Sequence, residues 1–192
     1  LHPLIYGSIS DKTEVERALN MYDILKSRRS IRKFTDKNIE EAVLEEILKG
    51  ALMAPSSRSI RPWELVVVRD KDTLSSLGRC RGAQSALIGG ADTAVVITAD
   101  TALSDVWVED TSILAAILQL EAHAKGLGSC WVQIRNRSKE EGVTAEDYIK
   151  ELLKIPEGYG VECVIALGYP AEAKAPHQEE KLPIAKIRRE QF

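Results

Sequence analysis

Three short apolar runs set the frame for this chain: Glu64-Leu-Val-Val-Val-Arg69, Thr93-Ala-Val-Val-Ile-Thr98 and the stretch from Val161 to Leu167. Each is rich in β-branched residues and too short for an ordinary helix, the pattern of a strand buried within a layered domain. Helical periodicity fills the intervals. Val15, Ala18, Leu19, Tyr22 and Leu25 recur at helical spacing between Thr13 and Lys26. Asn38 with Glu41 forms the pattern of a capping pair, which predicts a helix carrying Val43, Leu44, Ile47, Leu48, Ala51 and Leu52 on one face until Pro55 stops it. Shorter helices are expected at 72–79 and 83–88. The longest periodic segment runs from about Asp105 to Lys125, with Ile113, Ile117, Leu120 and Ala124 on one stripe and Leu114 and Leu118 beside it. Gly126 and Gly128 suit a helix ending that needs positive φ, and Ser129 to Ile134 reads as a third strand or extended loop. Thr144 with Asp147 opens a last helix to Lys154, closed by Pro156. Helices and strands therefore alternate.

A chain of 192 residues with 44% hydrophobic residues suits one domain with its own core, and no internal repeat is visible. Residues 1–12 lack any period and are expected to form an N-terminal arm, leaving 13–192 as a single domain. Residues 171–192, rich in Lys, Glu and Pro, cannot build a core of their own and read as an extended tail packed on something else. Twenty-six basic against 29 acidic residues leave a formal charge of −3, so no global field recruits nucleic acid or an anionic membrane. With no apolar run near the ~20 residues of a bilayer crossing, the expectation is a soluble, cytoplasmic protein. Cys80, Cys130 and Cys163 are odd in number and widely spaced, which fits a reducing compartment, and with His2, His123 and His177 far apart they give no metal-site spacing.

Three constellations could carry chemistry. Ser27-Arg28-Arg29-Ser30-Ile31-Arg32 crowds guanidinium forks and hydroxyls into a turn, a set that matches phosphate oxygens, although arginines after a helix also complement its dipole. Ala54-Pro55-Ser56-Ser57-Arg58-Ser59-Ile60-Arg61-Pro62-Trp63 is dense in donors and could wrap a planar polar ligand, or could be a plain connector. Gly126-Leu-Gly-Ser-Cys-Trp-Val-Gln-Ile134 allows close backbone approach but has neither dinucleotide-fold nor phosphate-loop spacing, and Cys130 lacks a partner base, so it reads as structural.

In this order and at these intervals, the three segments resemble the nitroreductase family of flavin enzymes. Ile155-Pro-Glu-Gly-Tyr159 and Val164-Ile-Ala-Leu-Gly-Tyr-Pro-Ala-Glu172 extend the likeness. The resemblance implies an α+β, three-layer sandwich around a mixed, mainly antiparallel sheet, assembled as an intertwined homodimer whose 171–192 arms are exchanged. It implies FMN at two interface sites and NAD(P)H as reductant. By the family pattern, Arg28, Arg29 and Ser30 take the FMN phosphate and ribityl chain, and Arg32 lies near the pyrimidine edge. Hydride arriving at N5 leaves negative charge around N1 and the C2 oxygen, which a fixed cation such as Arg32 stabilises. Pro55, Ser56, Ser57 and Ser59 would come from the other subunit, while Cys130, Trp131, Val132 and Gln133 would border the ring, with the Gln133 backbone at N5. Ser59 and Arg61 replace the Asn and Gln frequent in the family, and of the usual C-terminal basic pair only Lys181 falls close, beside Glu179 and Glu180. The expected activity is ping-pong reduction of a small-molecule electron acceptor, nitroaromatic or quinone-like. The alternatives are a flavin-binding or regulatory dimer without significant turnover, and a flavin-destroying or dehalogenating branch of the same fold.

Overall fold

The computed structural model describes residues 20–192, so the expected 1–12 arm and the first residues of the Thr13–Lys26 helix lie outside the described residues. Five α-helices and six strands follow in chain order: α1 (Met21–Ser27), α2 (Glu41–Leu52), β1 (Trp63–Val68), α3 (Lys71–Leu77), β2 (Thr93–Asp100), α4 (Trp107–Ala124), β3 (Gly128–Gln133), β4 (Ser138–Glu140), β5 (Val143–Thr144), α5 (Ala145–Leu153) and β6 (Tyr159–Gly168). The main sheet has the order β1-β2-β6-β3 and all its strand pairs are antiparallel. The two most apolar runs, β2 and β6, are its central strands, buried along almost their whole length. β1 is an edge strand and only partly buried: Trp63 and Leu65 pack into the core on one face and Val66 and Val68 into the core on the other, while Glu64 and Val67 stay exposed.

Apolar residues fill both faces of the sheet. On one, Leu44, Ile47 and Ala51 of α2 and Leu114, Leu118 and Ala122 of α4 pack with Val95, Ile97, Cys163 and Ile165. On the other, Leu74 and Leu77 of α3 and Ala145 and Ile149 of α5 pack with Val96, Val132, Val164 and Ala166. The chain is thus an α+β sandwich of three layers.

Local departures from the sequence reading have physical causes. The Asn38–Glu41 capping pair does not form: α2 starts after Glu40, with no side-chain cap. Ile39 is drawn into the core at 2% exposure while its carbonyl accepts from Arg69, which keeps the chain extended past the expected start. Residues 82–90 form two 3-10 turns rather than a helix. On α4 the fully buried line is Leu114, Ala115, Leu118 and Ala122, whereas Ile113 stays 42% exposed, so the stripe read from the sequence lies off the core side. Gly126 has the expected positive φ of 77°. Gly128 serves a different need, since a Cβ there would sit 2.8 Å from the Cβ of Ile31.

Candidate functional site

The residue after α1 turns away from the helix, and the segment 28–34 is laid against β3 on one side and the C-terminal segment on the other. The Ile31 N–H donates to the Ser129 carbonyl at 2.9 Å, a contact that the missing side chain of Gly128 permits. Residues 170–179 then run alongside in the opposite direction. The Ala171 N–H donates to the Lys33 carbonyl, Lys174 Nζ to the Ser30 carbonyl at 2.7 Å, and the His177 N–H to the Lys26 carbonyl at 2.8 Å. The Arg32 N–H donates to Glu172 Oε1 at 2.6 Å, and Arg29 to the Ala175 carbonyl. Lys26 pairs with Glu179 at 2.6 Å. The first part of the expected C-terminal arm therefore shapes its own chain's arginine segment. Further on, Leu182, Ile184 and Ile187 stay 42%, 60% and 59% exposed.

This packing holds the backbone of 28–32 and leaves its charge unspent. The guanidinium groups of Arg28 and Arg32 and the Ser30 hydroxyl make no hydrogen bond or ion pair among the described residues, whereas Arg69 alone makes three hydrogen bonds. Cys130 is buried beneath this cluster. Burial pushes its thiol up from the ordinary range, with Arg32, Lys174 and Arg28 pulling the other way and Glu172 adding to the rise. A thiol so placed stays protonated at neutral pH, in keeping with a structural role.

Strand β3 offers a second kind of site. It is the sheet's other edge, and its outward residues alternate. Ser129 spends its outward carbonyl on Ile31, so Trp131 and Gln133, in the same register, also present their backbone outward. Their N–H groups have no acceptor among the described residues. The Gln133 carbonyl is taken by Arg81 at 2.9 Å. The Gln133 side chain is fixed as well: its Oε1 accepts from the Trp131 indole at 2.8 Å, and its Nε2 donates to Glu162 Oε1 at 3.0 Å. Open edge donors beside unspent cations form a strip suited to a planar, acceptor-rich ligand carrying an anionic group. Cys130 and Val132 are buried, and in the alternating register their backbone groups face β6 rather than the strip.

Pro55, Ser56, Ser57 and Ser59 lie elsewhere. They form the connection from α2 to β1, in which Arg58, Ser59 and Arg61 all have φ between 52° and 54°. Three left-handed residues that are not glycine are costly and need outside support. The buried Asp110 carboxylate accepts the Ser57 N–H at 2.8 Å and the Ser104 hydroxyl at 3.1 Å, Ser56 Oγ accepts the Arg61 N–H at 2.9 Å, and Arg58 pairs with Asp105. This loop enters β1 opposite Ala99, while Ser129 stands opposite Leu167 and, through it, Thr93. Three strand spacings across and the length from Thr93 to Ala99 along the sheet separate the two corners by about 25 Å. One chain alone does not bring the serine loop to the arginine segment.

Lys181 stands with Arg29 and His177 at a surface cavity of about 340 Å3. Reading the sequence passed over Lys174, Glu172, Arg81, Asp110 and Glu162. Their contacts span 29 to 144 residues in sequence, and the only available cue was the position of Glu172 and Lys174 directly after the last buried strand.

A family model described as the nitroreductase family matches residues 25–79 and 78–169. A protein of Archaeoglobus fulgidus, named provisionally as an NADH dehydrogenase/NAD(P)H nitroreductase, is 38% identical over 152 residues, 77% of this chain and 84% of its own. The solved structure of an FMN-dependent nitroreductase from Clostridium difficile R20291 superposes with a TM-score of 0.88 at 46% identity, covering 90% of this chain and all of that one. One from Bacteroides thetaiotaomicron, with the same provisional name, gives 0.82 at 29% identity, covering 89% and 97%.

Proposed function

The chain belongs to the nitroreductase family, and we propose that it is an FMN-dependent NAD(P)H oxidoreductase that reduces nitroaromatic or quinone-like acceptors. The observation that carries this reading is the strip along β3, where the unspent guanidinium groups of Arg28 and Arg32 border the open N–H groups of Trp131 and Gln133. These residues fit FMN. Arg28, Arg29 and Ser30, with Lys174 or Lys181 near them, hold the phosphate and ribityl chain. Donors on the β3 edge meet acceptors of the ring, and Arg32 supplies positive charge beside it. FMN, when bound, supplies the two-electron chemistry, passing reducing equivalents from the nicotinamide to the acceptor. The protein's own contribution is placement, charge and exclusion of water, and no side chain need act as a dedicated acid or base.

The working form is a homodimer. The 25 Å between the serine loop and the arginine segment supports this, because a second copy can set its own 55–59 loop against the strip of the first. Exposed Leu182, Ile184 and Ile187, the exposed Ile113 on α4, and the outer side of edge strand β1, unpaired among the described residues, are the surfaces such a partner and its arm would cover. No helix among the described residues is long and apolar enough to cross a membrane.

The test is anaerobic. Protein purified with FMN is titrated with NADH and with NADPH while the flavin absorbance is followed, and a nitroaromatic or quinone is then admitted. Bleaching by a nicotinamide and recovery on adding the acceptor is the expected result. Tight FMN binding with no bleaching by either nicotinamide would overturn the reading.

A further inference from the structure

Arg81 stands apart from the other arginines of this chain. It lies on the short loop after α3, and that loop is built around a buried hydroxyl: Ser85 Oγ accepts the Arg81 N–H at 2.8 Å and donates to the Gly78 carbonyl at 2.8 Å. Cys80 on one side is fully buried, and Gly82 on the other turns the chain with φ of 58°. The backbone at 81 is therefore fixed, and its half-buried side chain crosses to the far end of β3. There Nη1 donates to the Gln133 carbonyl at 2.9 Å. This is its single side-chain hydrogen bond among the described residues, and no carboxylate there pairs with it.

A guanidinium carries five donors, so most of this group's hydrogen-bonding capacity is unspent. It sits where the outward N–H of Gln133 is also unspent. The other anchors of Gln133 come from the opposite side, where the nearly buried Glu162 carboxylate holds its amide and leaves Oε2 without a partner among the described residues. Gln133 is thus gripped through its backbone by a cation and through its side chain by an anion. Surface packing does not require this arrangement. Holding a long arginine side chain in one rotamer costs entropy, and a single carbonyl is a poor return unless the position of that carbonyl, or the charge beside it, matters.

We propose that Arg81 is a positioning residue of the redox site: it fixes the Gln133 peptide at the open end of β3 and keeps positive charge there, opposite the charge of Arg32 at the other end of the strip. The proposal rests on the FMN reading above. Its consequence is that Arg81 favours the reduced, more negative state of the cofactor over the oxidised one, so it acts on the redox equilibrium as well as on affinity.

The experiment compares Arg81→Met and Arg81→Lys with the parent protein in two measurements. Amide hydrogen exchange on the FMN-free protein reads the anchoring. Faster exchange at Ile134 and Arg135, whose N–H groups donate to the Glu162 carbonyl, is expected in both variants, because methionine has no donor and the shorter lysine side chain does not reach the Gln133 carbonyl as Nη1 does. Spectroelectrochemistry on the FMN-loaded protein reads the charge. Arg81→Met is expected to lower the preference for the reduced state about tenfold, a fall of roughly 30 mV in the two-electron midpoint, and Arg81→Lys to recover most of it. A purely structural role would lower the thermal midpoint and leave the potential in place. Parent-like potential in Arg81→Met overturns the proposal. If that variant does not fold, a potential in Arg81→Lys shifted by the full tenfold, or exchange in it unchanged from the parent, does the same. If the parent protein binds no FMN, the function proposed above fails, and the exchange measurement alone still decides whether Arg81 anchors Gln133.

Discussion

Gly128→Ala tests how the fold holds the candidate site. Gly128 has no positive φ, so alanine costs nothing in backbone conformation and gains about 0.4–1 kcal/mol by restricting the unfolded chain. Against this stands the close contact. The new Cβ would meet Ile31 Cβ and Cγ2 at 2.8 Å, and these are branched atoms beside the backbone rather than the tip of a flexible chain. Overpacking of this kind costs about 1–3 kcal/mol. Relief is hard to find, because Ile31 belongs to a segment pinned by Ser129, Lys174 and Glu172. The expected outcome is a net loss of about 1–2 kcal/mol and, since Arg28 to Arg32 must shift as a unit, FMN affinity lower by tenfold or more. Urea unfolding of the FMN-free protein and fluorescence titration with FMN measure the two effects. Gly126→Ala is the control: its φ of 77° makes alanine strained by about 1–2 kcal/mol, but with nothing within 4 Å it leaves FMN affinity unchanged. A Gly128→Ala protein as stable as its parent and equally retentive of FMN would refute the reasoning.

Other substitutions probe the remaining parts. Asp110→Ala strands the Ser57 N–H and the Ser104 hydroxyl, and urea unfolding should show a loss of about 2–3 kcal/mol together with weaker FMN binding. Arg32→Ala removes an exposed side chain without partners among the described residues, so stopped-flow mixing with NAD(P)H should show slowed flavin reduction in a protein of unchanged thermal midpoint. Burial, aided by the positive charge of Arg28, lowers the pKa of His123, whose Nε2 lies 2.7 Å from Ser27 Oγ. The unfolded chain then binds the proton more readily than the folded one, so stability holds above pH 6.5 and declines as pH falls below it; His123→Gln should flatten that part of the curve in urea melts across pH 5–8.

The legible parts of the fold were those whose cause is local. β2 and β6 announce themselves because both faces are buried and the runs Ala94–Ile97 and Cys163–Leu167 are continuously apolar, and the N-terminus of α5 because the Thr144 hydroxyl accepts the Asp147 N–H. The start of α2 was misplaced because Ile39 answers to a core contact that no neighbouring residue signals. On α4 apolar residues surround much of the helix, so periodicity alone could not say which stripe faces this chain's core. The small β4–β5 pair was missed for want of an apolar pattern. Much the same division holds at the site. Arg28 to Arg32 and the serine loop are compact segments and could be read directly. Arg81, Glu162, Lys174 and Asp110 reach their positions through tertiary contacts, and a lone arginine or carboxylate in sequence carries no mark of where its side chain ends.

Sedimentation velocity recorded at both protein and flavin wavelengths tests the central claim most directly, because that claim joins a bound FMN to a site completed by two chains. The account predicts one species of twice the chain mass carrying close to one FMN per chain. A single-chain species that holds FMN as tightly, or a two-chain species that binds none after incubation with excess FMN, would contradict it.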